Sequence, residues 1–170
     1  CRKAFECCME GKNTAMICSG DAGVYGMAGL ILELAQQYPG VRVRIVPGIT
    51  AACAGAAVLG APLMHDFAVI SLSDRLTPLE DIWNRVEAAA QADFVICLYN
   101  PASKGRPDFF RQACSRILKY RAEDTVCGLA VNIGREGEEM EVLTLEELKD
   151  RRVDMFTTVY IGNSPTSQIG

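Results

Sequence analysis

Apolar and polar positions alternate along this chain in two rhythms. Short apolar runs closed by a polar or glycine-containing turn read as strands at 14–18 (TAMIC), 67–72, 94–98, 126–133 and 156–161 (FTTVYI). Residues 41–46, VRVRIV, alternate strictly and read as a strand, with 141–143 a shorter one. Between these runs the spacing turns helical. Residues 4–11 read as the end of a helix capped by Gly11. Val24, Met27, Ala28, Ile31, Leu34, Ala35 and Tyr38 form one stripe, stopped by Pro39-Gly40. Residues 49–59 are rich in alanine and predict a closely packed helix. Leu79, Ile82, Trp83, Val86, Ala89 and Ala90 make a second stripe, and Phe110, Ala113, Cys114, Ile117 and Leu118 a third. Residues 144–149 predict a short last helix. The opening strand–helix–strand–helix order implies parallel pairing with right-handed crossovers. The Gly-Ala-Pro break at 60–65 places a boundary, giving an α/β fold of two lobes, 1–63 and 64–170. A cleft between two such lobes is a common place for a ligand.

Composition narrows the picture. With 49% hydrophobic residues in 170, the chain can bury a core and is not disordered. A net charge of −4 argues against a general nucleic-acid surface, which is normally basic, and leaves room for a local basic pocket. The eight cysteines fall in apolar strand-like and helical patterns rather than in turns, so they read as reduced thiols of a cytoplasmic protein. Neither their spacing nor the single histidine suggests a metal site. No apolar run is long enough to span a membrane, and no signal peptide is recognisable. The chain opens on Cys1 within a helical pattern, so it is expected to be an internal piece of a longer protein.

Five segments could carry chemistry. Residues 19–26, SGDAGVYG, follow a strand and open a helix, where ligands of open α/β sheets bind. Its glycines allow close backbone approach, N–H groups at the helix start can meet an anion, and Asp21 could accept from an amine or ribose hydroxyl. Asp21 would otherwise serve as a helix cap. The spacing matches neither a phosphate loop with Gly-Lys-Ser/Thr nor G-x-G-x-x-G. Residues 46–51, VPGITA, form a similar turn. Asn100, in 98–101 (LYNP), is polar at a strand end. His65, followed by Asp66, Ser71, Ser73 and Asp74, could act as a general base or could simply be hydrogen-bonded structure. The tract 162–166, GNSPT, and Arg135-Glu136 beside Gly134 are turns or a polar rim.

Taken in order, these segments resemble the tetrapyrrole (corrin/porphyrin) methylases, a class III fold of S-adenosylmethionine-dependent methyltransferases. The loop at 19–26 resembles the family's S-G-D-x-x-x-Y-G, and 46–51 its V-P-G-I-T/S-A turn. HDFAVISLSD at 65–74, LYNPASKGR at 98–106 and TTVYIGNSPT at 157–166 are most similar to the branch that methylates C17 of precorrin-3B with ring contraction, in cobalamin biosynthesis. The resemblance implies two α/β lobes with S-adenosylmethionine in the cleft between them. It implies cofactor contacts from Ser19, Gly20, Asp21, Val24, Thr50, Ala51, Asn100 and Gly134. Lys104 and Arg106 are candidates for the carboxylates of a precorrin-3B or cobalt-precorrin-3 substrate, and His65 for a base in ring contraction. A homodimer without nucleic-acid or membrane partners is expected. Ala22 stands where the family often has proline, and the family's opening strand and glycine-rich loop have no counterpart here. A sister methylase acting on another tetrapyrrole, diphthine or ribosomal RNA, and a non-catalytic nucleotide-binding module, are the alternatives.

Overall fold

The computed structural model describes residues 1–102, 105 and 108–169. Its chain forms two compact units, 1–51 and 52–170. In the first, α1 (Arg2–Met9) and α2 (Ala28–Ala35) are joined by residues 10–27, which form no helix or strand. The Phe5 ring stacks on Tyr38 with centroids 4.7 Å apart, and Phe5 is buried. Phe5, Cys8, Met16, Met27, Ile31 and Val43 border a cavity of about 270 Å³.

Two expectations are corrected in this unit. The runs at 14–18 and 41–46 form no ladder among the described residues, and Ile17 and Val46 stay exposed. Apolar patterning alone does not make a strand: a ladder also needs a neighbour whose N–H and C=O groups line up with it. The helix expected from Val24 starts only at Ala28. Tyr25 takes a left-handed φ of 51°, and the Ala28 N–H closes the loop on the Ala22 carbonyl at 2.9 Å.

The second unit holds most of α3 (Ala51–Leu59), followed by β1 (Phe67–Ser71), α4 (Leu79–Gln91), β2 (Val95–Tyr99), α5 (Phe109–Ile117), β3 (Val126–Val131), β4 (Glu139–Thr144), α6 (Leu145–Lys149) and β5 (Thr157–Ile161). The sheet order is β1-β2-β5-β3-β4. It is mixed: β1 and β2 pair parallel across the α4 crossover, whereas β5 runs antiparallel to both β2 and β3. The loop between β3 and β4 is too short for a crossover and makes an antiparallel hairpin.

Strand alternation sends Ile96, Leu98, Val159 and Ile161 to one face, where the predicted stripes of α4 and α5 bury Ile82, Val86, Phe110 and Ile117. Cys97, Ala130 and Tyr160 point to the other face and meet Ala52 and Ala56 of α3. Small residues let this helix lie close. A Cβ on Gly128 would stand 2.7 Å from Leu59 Cδ1. A capping box between Thr144 and Glu147 starts α6. Arg121, with a side chain 5% exposed, pairs with Asp93 and donates to the Phe94 carbonyl at 2.9 Å.

All eight cysteines are free thiols. Burial pushes Cys97 and Cys127 up to about 12 and raises Cys114 further, which keeps the three neutral.

Candidate functional site

In the first unit the SGDAGVYG loop and the VPGITA turn are bound into one element by Asp21. Its Oδ1 accepts the N–H groups of Gly23 (2.7 Å) and Val24 (3.1 Å), and its Oδ2 accepts that of Gly48 (2.8 Å). The sequence offered Asp21 as a ligand acceptor or as a cap. In the structure its carboxylate already carries three backbone bonds, so it is the latch of the loop. Glycine is required on both sides of this latch. Gly20 has φ +75°, and a Cβ on Gly48 would fall 2.2 Å from the Gly20 carbonyl oxygen. Ser19, Gly20 and Val24 stay exposed around the latch, and Thr50 and Ala51 are half-buried at the end of the turn.

The Gly48 N–H, followed by that of Gly23, holds the Asp21 carboxyl below the usual carboxylate range. A depressed folded pKa means that the latch's contribution is complete above the ordinary value of 3.8 and is lost as pH falls through the lower folded value. The protection factor of the Gly48 amide in hydrogen exchange should therefore hold from neutral pH to about 4 and collapse in stronger acid. A protection factor that is flat through that range would remove Asp21 from this role.

In the second unit the carboxyl ends of β1, β2 and β3 lie along one edge of the sheet, where ligands of such sheets bind. Asn100 and Asn132 follow β2 and β3, each with a left-handed φ of 52°. Asn100 Nδ2 donates to Ser71 Oγ at 2.9 Å, and the Leu72 N–H donates to the Tyr99 carbonyl at 2.9 Å. Asn132 Nδ2 donates to the Gly137 carbonyl at 3.2 Å. The Gly134 N–H, expected as a backbone contact, donates to Glu138 Oε2 at 2.6 Å. The Arg135 guanidinium sits 5.6 Å from the centre of the Phe156 ring on the same edge. The edge thus gathers Ser71, Asn100, Asn132 and Gly134.

His65 lies elsewhere. It is exposed at the amino end of β1, while Ser71 and Asn100 are at the carboxyl end. About 13 Å of strand separates Phe67 from Ser71, and His65 is two residues further out. The GNSPT tract shares that remote end, because β5 runs against β2. It closes on itself through Asn163 and Thr166, and Ser164 bonds Asp93, with Ser164 Oγ 2.6 Å from Oδ2. It is a structural turn. Lys104 and Arg106 lie outside the described residues. Sequence reasoning missed the part played by the hydroxyl of Tyr99, which accepts the Ala52 N–H at 2.5 Å. It also missed Tyr160, whose hydroxyl donates to the Ala52 carbonyl at 2.8 Å. A tyrosine closing a strand before Asn-Pro was the available signal for the first; the second carried none.

The profile of the Tetrapyrrole (Corrin/Porphyrin) Methylases matches residues 2–149. The chain belongs to the tetrapyrrole methylase family. It is 48% identical, over 98% of its length and 69% of the relative's, to a protein of Salmonella typhimurium named probable cobalt-factor III C(17)-methyltransferase. The crystal structure of the methyltransferase CobJ superposes with a TM-score of 0.92 at 36% identity, covering 99% of this chain and 72% of that one. A uroporphyrin-III C-methyl transferase from Thermus thermophilus, complexed with S-adenyl homocysteine, shares the fold with a TM-score of 0.63 at 22% identity, over 84% of this chain and 62% of that one. Residues 2–149 of this tetrapyrrole methylase are therefore a methyltransferase-family domain, and the α/β fold is that of its relatives. Among the described residues no helix is long and apolar enough to cross a membrane.

Proposed function

We propose that this protein transfers a methyl group from S-adenosylmethionine to C17 of precorrin-3B or cobalt-precorrin-3, with ring contraction, in cobalamin biosynthesis. The observation that carries this reading is the 48% identity, over nearly the whole chain, to a relative named for C17 methylation in cobalt-factor III.

The residues fit the donor. Ser19, Gly20, Asp21, Val24, Thr50, Ala51, Asn100 and Gly134 include no lysine or arginine. Such a set places no like charge against a cationic sulfonium. Exposed Val24 offers an apolar surface beside the polar loop, and Gly20 and Gly48 let backbone approach where a Cβ would intrude. S-adenosylmethionine supplies an activated methyl group on a good leaving group, so the chain's work is binding and orientation. Ser19, Thr50 and Asn100 would hold the donor, Asp21 would keep the loop in shape beneath it, and Gly134 would contribute backbone already ordered by Glu138. Lys104 and Arg106 would meet substrate carboxylates. The two lobes, with their boundary at 63/64, a homodimeric state and a cytoplasmic location belong to the same reading.

Calorimetry against S-adenosyl homocysteine, ATP and NAD, followed by product analysis with several precorrins, tests the proposal. Binding of the homocysteine product and methylation at C17 are expected. Preference for ATP or NAD would overturn the reading in favour of a nucleotide-binding module, and methylation elsewhere would indicate a sister methylase. In the same assay His65→Ala decides the base question. Its place at the remote end of the sheet leads us to expect unchanged ring contraction, and loss of contraction with methyl transfer intact would put His65 back into the chemistry.

A further inference from the structure

One dipeptide at the carboxyl end of β2 ties three elements together. The Tyr99 carbonyl accepts the Leu72 N–H just beyond β1, and Asn100 Nδ2 donates to Ser71 Oγ at the end of β1. The same Ser71 oxygen accepts the Ser73 N–H at 3.2 Å. The Tyr99 hydroxyl accepts the N–H of Ala52, which is fully buried in the first turn of α3. N–H groups of a helix's first turn have no partner within the helix. A side-chain cap from the sheet therefore does more than satisfy a donor: it fixes where α3 begins relative to the strand end. Asn100 is held with equal care. Its backbone sits in the left-handed region, which asparagine tolerates better than most non-glycine residues. Its amide nitrogen is spent on Ser71, so the orientation of Oδ1 is set. That oxygen makes no hydrogen bond among the described residues.

We infer that Tyr99 and Ser71 are positioning residues for donor binding: Tyr99 fixes the start of α3, and Ser71 aims the Asn100 carbonyl oxygen outward from the edge. The inference rests on the S-adenosylmethionine reading above, in which Asn100 contacts the donor. Neither residue touches the donor itself. The effect of changing them belongs in donor affinity and KM, while the chemical step keeps its rate.

Tyr99→Phe keeps the ring and deletes the acceptor. Ser71→Ala keeps the backbone and deletes the partner of Asn100. Tyr160→Phe, which removes the other hydroxyl bonded to Ala52 at a site away from the strand end, is the control for simple loss of packing order. Dissociation constants for S-adenosyl homocysteine by calorimetry, KM and kcat for the donor, and Tm should be measured on the purified protein and the three variants. Tyr99→Phe and Ser71→Ala are each expected to raise the dissociation constant and donor KM about tenfold, with kcat within about twofold. Tyr160→Phe is expected to lower Tm while leaving donor affinity within about twofold. The inference is overturned if both Tyr99→Phe and Ser71→Ala bind the donor product as the unmodified protein does, or if Tyr160→Phe weakens binding as much as they do. If Tyr99→Phe fails to fold, Ser71→Ala decides alone. Failure of the unmodified protein to bind S-adenosyl homocysteine would overturn both readings, whereas normal binding with unaffected variants overturns this one only.

Discussion

Gly48→Ala is expected to abolish measurable donor binding. The added Cβ would lie 2.2 Å from the Gly20 carbonyl oxygen, inside any real contact distance, and a tight 3.1 Å from its carbon. Neither side can yield locally. The Gly48 N–H is held by Asp21 Oδ2 at 2.8 Å, and Gly20 is committed to a φ of +75°. The turn at 46–50 must therefore part from the loop at 19–26, and Asp21 loses the strongest of the bonds that depress its pKa. We expect the dissociation constant for S-adenosyl homocysteine to rise by at least about 100-fold, with a loss of about 1–3 kcal/mol of stability from overpacking. Gly29→Ala is the matched control. It lies in α2, and its Cβ would meet nothing within 4 Å. There the same change should leave binding alone and stabilise by about 0.4–1 kcal/mol. Calorimetry and urea denaturation separate the two, and normal donor binding by Gly48→Ala would show that loop and turn are not one element.

Much of this architecture is legible in the sequence because burial is periodic. The stripe Ile82, Trp83, Val86 and Ala90 predicts α4 and its buried face, and Phe110, Ala113, Cys114 and Ile117 do the same for α5. The strand at 157–161 is fully buried, as its apolar run suggests. Pairing was less legible. Nothing in TTVYI says that it enters between β2 and β3 and reverses direction, since the partners of a strand are set by contacts distant in sequence. The runs at 14–18 and 41–46 show the same limit from the other side, since their apolar patterning predicts strands where no ladder forms among the described residues.

The site divides similarly. The loop at 19–26 and the turn at 46–51 stand out because several glycines and an aspartate follow apolar runs, and the structure links them through Asp21 and Gly48. The direction of β1 separates His65 from Asn100, and direction is a property of the sheet rather than of the local sequence. Gly55 is the clearest omission. In an alanine-rich helix it looks interchangeable with its neighbours.

Gly55→Ala should nevertheless be among the most damaging single substitutions in the second unit. In an open helix interior the change would gain about 1 kcal/mol from helix propensity alone. Here a Cβ would stand 2.4 Å from Tyr160 Oη, 2.7 Å from Ile133 Cδ1 and 3.1 Å from Ala130 Cβ. The Tyr160 ring is 2% exposed on the strand between β2 and β3, so it has nowhere to retreat. Its hydroxyl donates to the Ala52 carbonyl and is also hydrogen-bonded by the Ala56 N–H, one helical turn further along. Glycine at 55 is what lets a tyrosine hydroxyl lie against the α3 backbone. Burial first, then the neighbouring Cys97 and Tyr99, pushes the Tyr160 phenol well above its ordinary range against the opposing pull of the Ala56 N–H, so it stays a neutral donor. Overpacking costs about 1–3 kcal/mol and a stranded buried hydroxyl about as much again, against the propensity gain, for a net loss on the order of 2–4 kcal/mol. The pair should be coupled. Tyr160→Phe alone removes a hydrogen bond at about 1 kcal/mol, whereas added to Gly55→Ala it also removes the closest clash, so the double variant should be more stable than Gly55→Ala alone. Urea denaturation of the four proteins checks the cycle, and additive effects, or a neutral Gly55→Ala, would mean that α3 can lift from the sheet without cost. Because the Ala52 N–H is held by Tyr99, such a lift would also release the start of the helix from the strand end that carries Asn100.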